Sequence, residues 1–183
     1  MRIVAGTWRG RILAAPAGSA TRPTADRVRQ ALFDMLLHAP WAGSVVIRGA
    51  RVLDAFAGTG ALGLEALSRG AAHAVFMERD RSALTVLRAN IAACRAEALC
   101  EVLAADSTRP PPGLACGLVF LDPPYGRGLV PASLLALRQA GWITPDALVV
   151  VETGHDEDVS VPGTLLDDRR HGAARITVWN LFA

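Results

Sequence analysis

The segment LDPPY, residues 121–125, holds the side chains best suited to chemistry. Two consecutive prolines make a stiff, extended corner, because each fixes its own φ and disfavours helix in the residue before it. Such a corner would hold the Asp122 carboxylate, the Pro123 carbonyl and the Tyr125 ring in fixed positions. An aromatic amine is a weak nucleophile because its lone pair is delocalised, and two acceptors on its N–H bonds would draw the nitrogen toward a reactive geometry. We predict that these three residues are catalytic, with the ring stacking on an extracted base; the alternative is an ordinary proline turn.

A glycine-rich loop, DAFAGTGALG, begins at Asp54 between an apolar run and a helical pattern. Glycines let the backbone pass close to a ligand, and the following helix offers free N–H groups. The GxGxxG spacing alone also fits a dinucleotide site, or a tight turn without a ligand. An acid at the strand end is awkward beside a pyrophosphate but suits a cationic amino-acid moiety. We therefore predict a cofactor site formed by Asp54, Phe56, Gly58, Thr59 and Gly60.

Two further acids follow apolar runs. Glu78 ends the second run, where a carboxylate can accept hydrogen bonds from both ribose hydroxyls. Enzymes that bind NAD use the same device, so this residue indicates an adenosine ligand without identifying it. Asp106 follows the third run and could accept the adenine amino group, although an acid that starts a turn is nearly as good an interpretation. We assign both residues to the cofactor site.

The elements that must position these residues alternate along the chain. Near-continuous apolar runs separated by helical patterns predict a parallel sheet covered on both faces. Alternation near the end of the chain predicts an antiparallel hairpin, and an earlier segment predicts a short hairpin or arm. The expected strands are 51–56, 73–78, 99–105, 116–122 and 147–153, with the closing hairpin at 164–169 and 174–182. The expected helices run from Thr24 to near Pro40 and over 61–70, 81–94 and 129–141, and the arm covers 2–5 and 11–14.

The bulk composition indicates one globular domain. The chain has 183 residues, of which 51% are hydrophobic, which is enough to bury a core. No apolar run reaches the roughly 18 residues that a membrane span needs, and the N-terminus lacks the apolar region of a secretory signal. The three cysteines share no CxxC spacing, so we expect reduced thiols and no metal site. We predict a cytoplasmic protein that binds neither membrane nor metal.

The charge is unevenly distributed. Residues 1–51 hold eight arginines and two acids, whereas residues 52–183 hold eleven arginines and fifteen acids. The chain has no lysine, which composition bias can explain, but such a bias does not explain the segregation. A basic first third on a mildly acidic body suggests a surface for a polyanion beside a small-molecule pocket. We divide the chain into a basic arm and helix, residues 1–50, and a core, residues 51–183, within one compact domain.

Several blocks together resemble one family. RIVAGTWRGRIL, RPTADRVRQALFDML, DAFAGTGALGLEALSRGA, FLDPPY and GWITPDALVVVE occur in the order found in the RsmD-type 16S rRNA (guanine-N2)-methyltransferases. The resemblance covers nearly the whole chain, and the RPTxDRVR block is specific to that family. It implies a class I S-adenosylmethionine-dependent methyltransferase, a Rossmann-like α/β fold whose seven-stranded, mostly parallel sheet closes with an antiparallel hairpin. A departure is Tyr125, where phenylalanine is common; either ring can stack.

The resemblance also implies a cofactor and a partner. The cofactor would be S-adenosylmethionine, and the partner 16S ribosomal RNA or the small ribosomal subunit. Arg22 lies in the family-specific block, before Pro23, which favours a base or phosphate contact. We assign substrate contacts to Arg9, Arg11, Arg22 and Arg27, although surface arginines are often only solvated.

Three other functions remain open. A nicotinamide oxidoreductase would share the glycine loop and Glu78, but it has no need for DPPY. A non-catalytic RNA-binding assembly factor would share the basic arm, but it would not depend on Asp122. An adenine-N6 methyltransferase of DNA or RNA would share the fold; the acid at position 122, where adenine enzymes commonly have asparagine, favours guanine.

Overall fold

The computed structural model describes residues 1–15, 23–42 and 46–181. Its strands are β1 (Arg51–Asp54), β2 (His73–Glu78), β3 (Cys100–Ala104), β4 (Cys116–Leu121), β5 (Ile143–Gly154), β6 (Thr164–His171) and β7 (Ala174–Asn180). Its α-helices are α1 (Pro23–His38), α2 (Ala61–Ser68), α3 (Arg81–Cys94) and α4 (Leu129–Gln139), and a short 3-10 helix covers Glu97–Leu99. Within this part of the chain, no helix has the length and apolar character needed to span a membrane.

The strands form one seven-stranded sheet in the order β3-β2-β1-β4-β5-β7-β6. The first five strands pair in parallel, and β7 pairs antiparallel with both β5 and β6. This arrangement confirms the expected mostly parallel sheet with an antiparallel closing hairpin. From β1 the chain adds β2 and β3 on one side of the sheet, and then adds β4 and β5 on the other side. In open α/β sheets, ligands bind outside the carboxyl ends of the strands at the point where the strand order reverses in this way.

Both faces of the sheet are covered. One hydrophobic cluster includes Leu32 of α1, Leu64 of α2 and Leu87 of α3, and the other includes Leu134 and Leu137 of α4. Successive side chains of a strand point to opposite faces, so neighbouring residues of each central strand enter different clusters. This explains why Val52 and Leu53 of β1, and the run from Leu118 to Leu121 of β4, are consecutive apolar residues rather than alternating with polar ones.

The N-terminal arm packs on the core. Arg2 and Ile12 form an antiparallel bridge, and the side chains of Ile3 and Leu13 are buried. The backbone N–H groups of Val4 and Ala5 donate to the carboxylate of Glu65 on α2. The arm is thus attached to the helix that follows the glycine-rich loop.

Some element boundaries differ from the sequence-based predictions. β1 ends at Asp54 rather than at residue 56, because the chain turns there into the loop. β5 begins at Ile143, ahead of the predicted residue 147, and Ile143 pairs with Cys116 before a register shift in the β4–β5 ladder. Its segment around Pro145 resembles a turn in the sequence. α1 begins at Pro23, one residue before the predicted start at Thr24, which agrees with the preference of proline for the first helical turn.

Candidate active site

A cavity of about 960 Å³ opens at the carboxyl ends of the central strands. It brings together nine of the ten residues that the sequence assigned to the cofactor and the chemistry. The lining includes Asp54, Phe56, Gly58, Thr59, Glu78, Asp106, Asp122, Pro123 and Tyr125. A single cavity can therefore hold a cofactor and present the DPPY corner to a second ligand.

Gly60 is the exception, since it does not line the cavity. Its φ of 78° lies in the left-handed region, and a Cβ built there would come within 2.4 Å of the Leu87 side chain. The residue allows the tight turn into α2 and the close packing of α3. The structure thus shows a packing role for Gly60, and its assignment to the cofactor site stays a prediction.

Two backbone-to-carboxylate hydrogen bonds hold the glycine-rich loop. The Gly58 N–H donates to Oε2 of Glu78 over 2.9 Å. The Gly63 N–H, in the first turn of α2, donates to Oδ2 of Asp54 over 3.0 Å. These contacts connect the loop to the ends of β1 and β2, so the loop is positioned by the same acids that the sequence assigned to the ligand.

Asp54 is a buried acid whose charge is poorly solvated. Burial raises its pKa to about 7, the hydrogen bond from Gly63 opposes the rise, and nearby Glu78 adds to it. The carboxylate would gain from a positively charged neighbour, since an opposite charge favours the ionised form. The site is thus suited to a ligand with a cationic group near the end of β1.

Glu78 is fixed by three backbone donors. Besides Gly58, the N–H groups of Arg79 and Asp80 donate to its Oε1, over 2.8 and 2.7 Å. Asp80 in turn caps α3 by accepting from the Ala83 N–H. The Glu78 carboxylate lines the cavity in a fixed orientation, and each of its oxygens can accept more than one hydrogen bond.

Asp106 has local partners of its own. Its Oδ1 accepts from the backbone N–H and the hydroxyl of Thr108, and its Oδ2 accepts from Arg79 over 2.8 Å. The bonds from Thr108, and then that from Arg79, lower its pKa. Asp106 therefore starts a turn, which was the alternative to a ligand contact, and it also lines the cavity.

The DPPY corner follows β4 directly. Pro123 is buried and Asp122 is partly buried, whereas Tyr125 is 45% exposed. The Tyr125 ring lies beside Gly154, where a built Cβ would be 3.7 Å from the ring. Its hydroxyl donates to Oε1 of Glu152 over 2.7 Å. The ring is therefore available for stacking while its hydroxyl is held by β5.

Glu152 is a further carboxylate of the cavity, and the sequence analysis did not single it out. The register pairs Leu121 with Val151, so Asp122 and Glu152 lie side by side, each one residue beyond that pair. The pKa of Asp122 is raised well above its ordinary value, first by burial and then by the charges of Glu152 and Asp54. The sequence feature that could have indicated Glu152 as a site residue is that it is a lone acid near the end of an apolar strand.

Of the predicted arginine contacts, Arg9, Arg11 and Arg27 lie outside the cavity. The side chains of Arg9 and Arg27 are exposed. Arg11 is exposed as well and donates to the carbonyl of Ala93 on α3. Arg22 lies outside the described residues. By contrast, Arg29 of α1 is buried and lines the cavity, and it pairs with Asp26 over 2.9 Å.

Among the described residues, no cluster of histidine, cysteine and acidic side chains has the geometry of a metal site. The described cysteines Cys94, Cys100 and Cys116 are free. Burial is the main cause that raises the pKa of each of these thiols, so they are held as neutral groups. The cavity itself presents several carboxylates and the ring of Tyr125.

Comparison with known proteins places these features in a family. The model of the family described as Conserved hypothetical protein 95 matches residues 1–180. Ribosomal RNA small subunit methyltransferase D of Escherichia coli (strain K12) is 42% identical over 154 residues, covering 84% of this chain and 74% of the relative. The protein of the same name from Haemophilus influenzae is 37% identical over 180 residues, covering 94% and 89%.

A solved structure has the same fold. It is described as "Putative methyltransferase yhhF from Escherichia coli", and it superposes with a TM-score of 0.84 at 37% identity, covering 100% of this chain and 98% of the other. The similarity extends from the arm to the closing hairpin, which confirms the class I methyltransferase fold.

Proposed function

The chain belongs to the Conserved hypothetical protein 95 family, which includes the RsmD-type methyltransferases, and from this premise we propose that it transfers a methyl group from S-adenosylmethionine to N2 of a guanine in small-subunit ribosomal RNA. The observation that carries the proposal is the cavity at the strand ends, where the glycine-rich loop and the DPPY corner meet. The names of the relatives support ribosomal RNA as the substrate. The choice of base and nitrogen rests on the chemistry of the corner.

The residues of the loop fit S-adenosylmethionine. The poorly solvated carboxylate of Asp54 suits the positive charge of its methionine moiety. Glu78, held in place by three N–H groups, offers acceptors for the ribose hydroxyls. Asp106 lines the same cavity and can accept the adenine amino group through Oδ2. When bound, this cofactor would supply an activated methyl group and would keep the electron pair of the broken methyl–sulfur bond, leaving as the neutral thioether, so the protein itself needs neither a metal nor a covalent intermediate.

The corner prepares the nucleophile. The Asp122 carboxylate and the Pro123 carbonyl accept hydrogen bonds from the two N–H groups of the amino group. These hydrogen bonds raise the electron density on the nitrogen and oppose the delocalisation of its lone pair into the ring. As the N–C bond forms, positive charge grows on this nitrogen and strengthens its hydrogen bond to the Asp122 carboxylate. The carboxylate then takes the surplus proton and passes it to water. Tyr125 stacks on the base, which must leave its helix to reach the cavity.

The proposal is tested by methyl transfer from labelled S-adenosylmethionine to small-subunit rRNA, followed by nucleoside analysis. We expect N2-methylguanosine with the wild type and a rate lower by about 10²–10⁴ in Asp122→Asn, the range typical of a positioned proton acceptor. Asp146→Asn removes the same charge from an exposed position of β5 and should behave as wild type. Label in N6-methyladenosine or in protein, or full activity of Asp122→Asn, would overturn the proposal.

A further inference from the structure

Glu152 lines the cavity, but the proposed methyl transfer gives it no role. It lies beside Asp122 at the edge of the cavity, on the neighbouring strand. Its Oε1 is occupied by the Tyr125 hydroxyl, and among the described residues no hydrogen bond reaches its Oε2. A carboxylate whose one oxygen is anchored and whose other oxygen is free can recognise a donor on a ligand.

We propose that Glu152 determines the base specificity of this site by accepting the N1–H of guanine, next to the amino group that Asp122 and Pro123 hold. The inference rests on the proposed function, because it assumes that the methylated nitrogen is N2 of guanine. It assigns to Glu152 a role in choosing the base rather than in the transfer itself.

The Watson–Crick edges of the bases explain the choice. Guanine presents N1–H beside its N2 amino group, so three N–H donors follow one another. Adenine and cytosine present a ring nitrogen lone pair beside their amino groups. At the corner, the Asp122 carboxylate, the Pro123 carbonyl and Glu152 are three acceptors, and the hydroxyl of Tyr125 already donates to Glu152. A lone pair facing Glu152 would be repelled, whereas N1–H would be bound.

Charge and orientation support the same assignment. The acids Asp54, Asp122 and Glu152 line one cavity, and their mutual repulsion is relieved by a ligand edge rich in N–H groups. The Tyr125 hydroxyl fixes Glu152, and Gly154 leaves room for the ring beside β5. Tyrosine at position 125 therefore has a role that phenylalanine could not fill: it connects the stacking surface to the residue that would recognise the base.

The test uses a synthetic rRNA fragment that spans the guanine mapped with the wild type, made with guanine or with 2-aminopurine at that position. 2-Aminopurine keeps the N2 amino group but has a lone pair at N1. We expect the wild type to prefer guanine by roughly 10- to 100-fold in kcat/KM, the effect of losing one hydrogen bond to a charged group. In Glu152→Gln the side-chain amide can donate to that lone pair, so the preference should fall toward parity.

Two variants serve as controls. Glu97→Gln removes an exposed carboxylate outside the cavity and should keep the wild-type preference. Tyr125→Phe keeps the ring but frees Glu152, and we expect a reduced preference. Because 2-aminopurine also lacks O6 in every assay, the change in preference between wild type and variant isolates the contact at N1.

The outcomes separate the inference from the proposed function. If Glu152→Gln slows both substrates equally and keeps the guanine preference, Glu152 only positions Tyr125 and the inference is wrong. If Glu152→Gln does not fold, the wild type decides, because equal rates on guanine and 2-aminopurine overturn the inference. The failure of the proposed function is seen separately, as wild-type product methylated at a position other than N2 of guanine.

Discussion

Replacing Glu65 should destabilise the protein more than any loss of a surface charge. This side chain of α2 is fully buried, yet it is acidic. It accepts from the N–H groups of Val4 and Ala5 over 2.8 and 3.0 Å, and from Nε of Arg69 over 2.8 Å. Nε of Arg29 lies 3.5 Å from its Oε2. One carboxylate thus connects the arm, α1 and α2.

The cost of Glu65→Gln follows from these partners. Glutamine keeps one acceptor, and its amide N–H₂ would face donors only. The side chains of Arg29 and Arg69 are each 5% exposed, so both charges would remain buried with one fewer counter-charge. Breaking a buried ion pair costs about 3–5 kcal/mol. For a chain of this size, 1 kcal/mol corresponds to about 2–4 °C in Tm, so we expect Tm to fall by about 6–20 °C.

Thermal and urea unfolding, followed by circular dichroism, measure this loss. Glu97→Gln is the matched control, since its side chain is exposed and its removal should change the free energy of unfolding by less than about 0.5 kcal/mol. A loss below about 1 kcal/mol for Glu65→Gln would show that the buried network contributes little and would refute this reasoning.

Three further predictions concern the ligands. Glu78→Ala should weaken S-adenosylmethionine binding by about 10- to 100-fold, because it removes charge-assisted hydrogen bonds and the anchor of the Gly58 N–H; unchanged affinity in calorimetry would refute the ribose assignment. With a pKa of about 7, Asp54 is mostly protonated in the free protein at pH 5.5, and a cationic ligand needs it ionised. Affinity should therefore rise between about pH 5.5 and pH 7 and become flat in Asp54→Asn, whereas a pH-independent wild type would contradict this. Replacing the exposed Arg9 and Arg27 together by alanine should lower the salt slope of RNA binding by about 0.7–0.9 per lost phosphate contact; filter binding at several salt concentrations measures it, and an unchanged slope would place the RNA surface elsewhere.

Much of the fold could be predicted from local patterns. β2 and α3 begin and end at the predicted residues, because an uninterrupted apolar run and a helical period each have clear end signals, here Glu78 and the cap Asp80. The boundaries of β1 and β5 were less accurate. Apolar residues continue into the loop after Asp54, and Pro145 resembles a turn although it lies within the strand.

The acids that matter for recognition and stability were harder to find. Glu152 has no neighbour in sequence that signals a site, and its importance arises from the β4–β5 register that places it beside Asp122. Glu65 looks like an ordinary polar position of an amphipathic helix, and only the packing of the arm and of α1 makes it buried. Local sequence reports periodicity and motifs, whereas these two roles come from contacts between segments far apart in the chain.

The most direct test of the central claim is made in cells. Small-subunit rRNA from a strain lacking the gene for this chain is digested and its modified nucleosides are mapped by mass spectrometry, before and after complementation. We predict that N2-methylguanosine is missing at one position in the deletion strain, returns with the wild-type gene and does not return with Asp122→Asn. An rRNA modification map that is unchanged by the deletion, or restored equally by Asp122→Asn, would contradict the account.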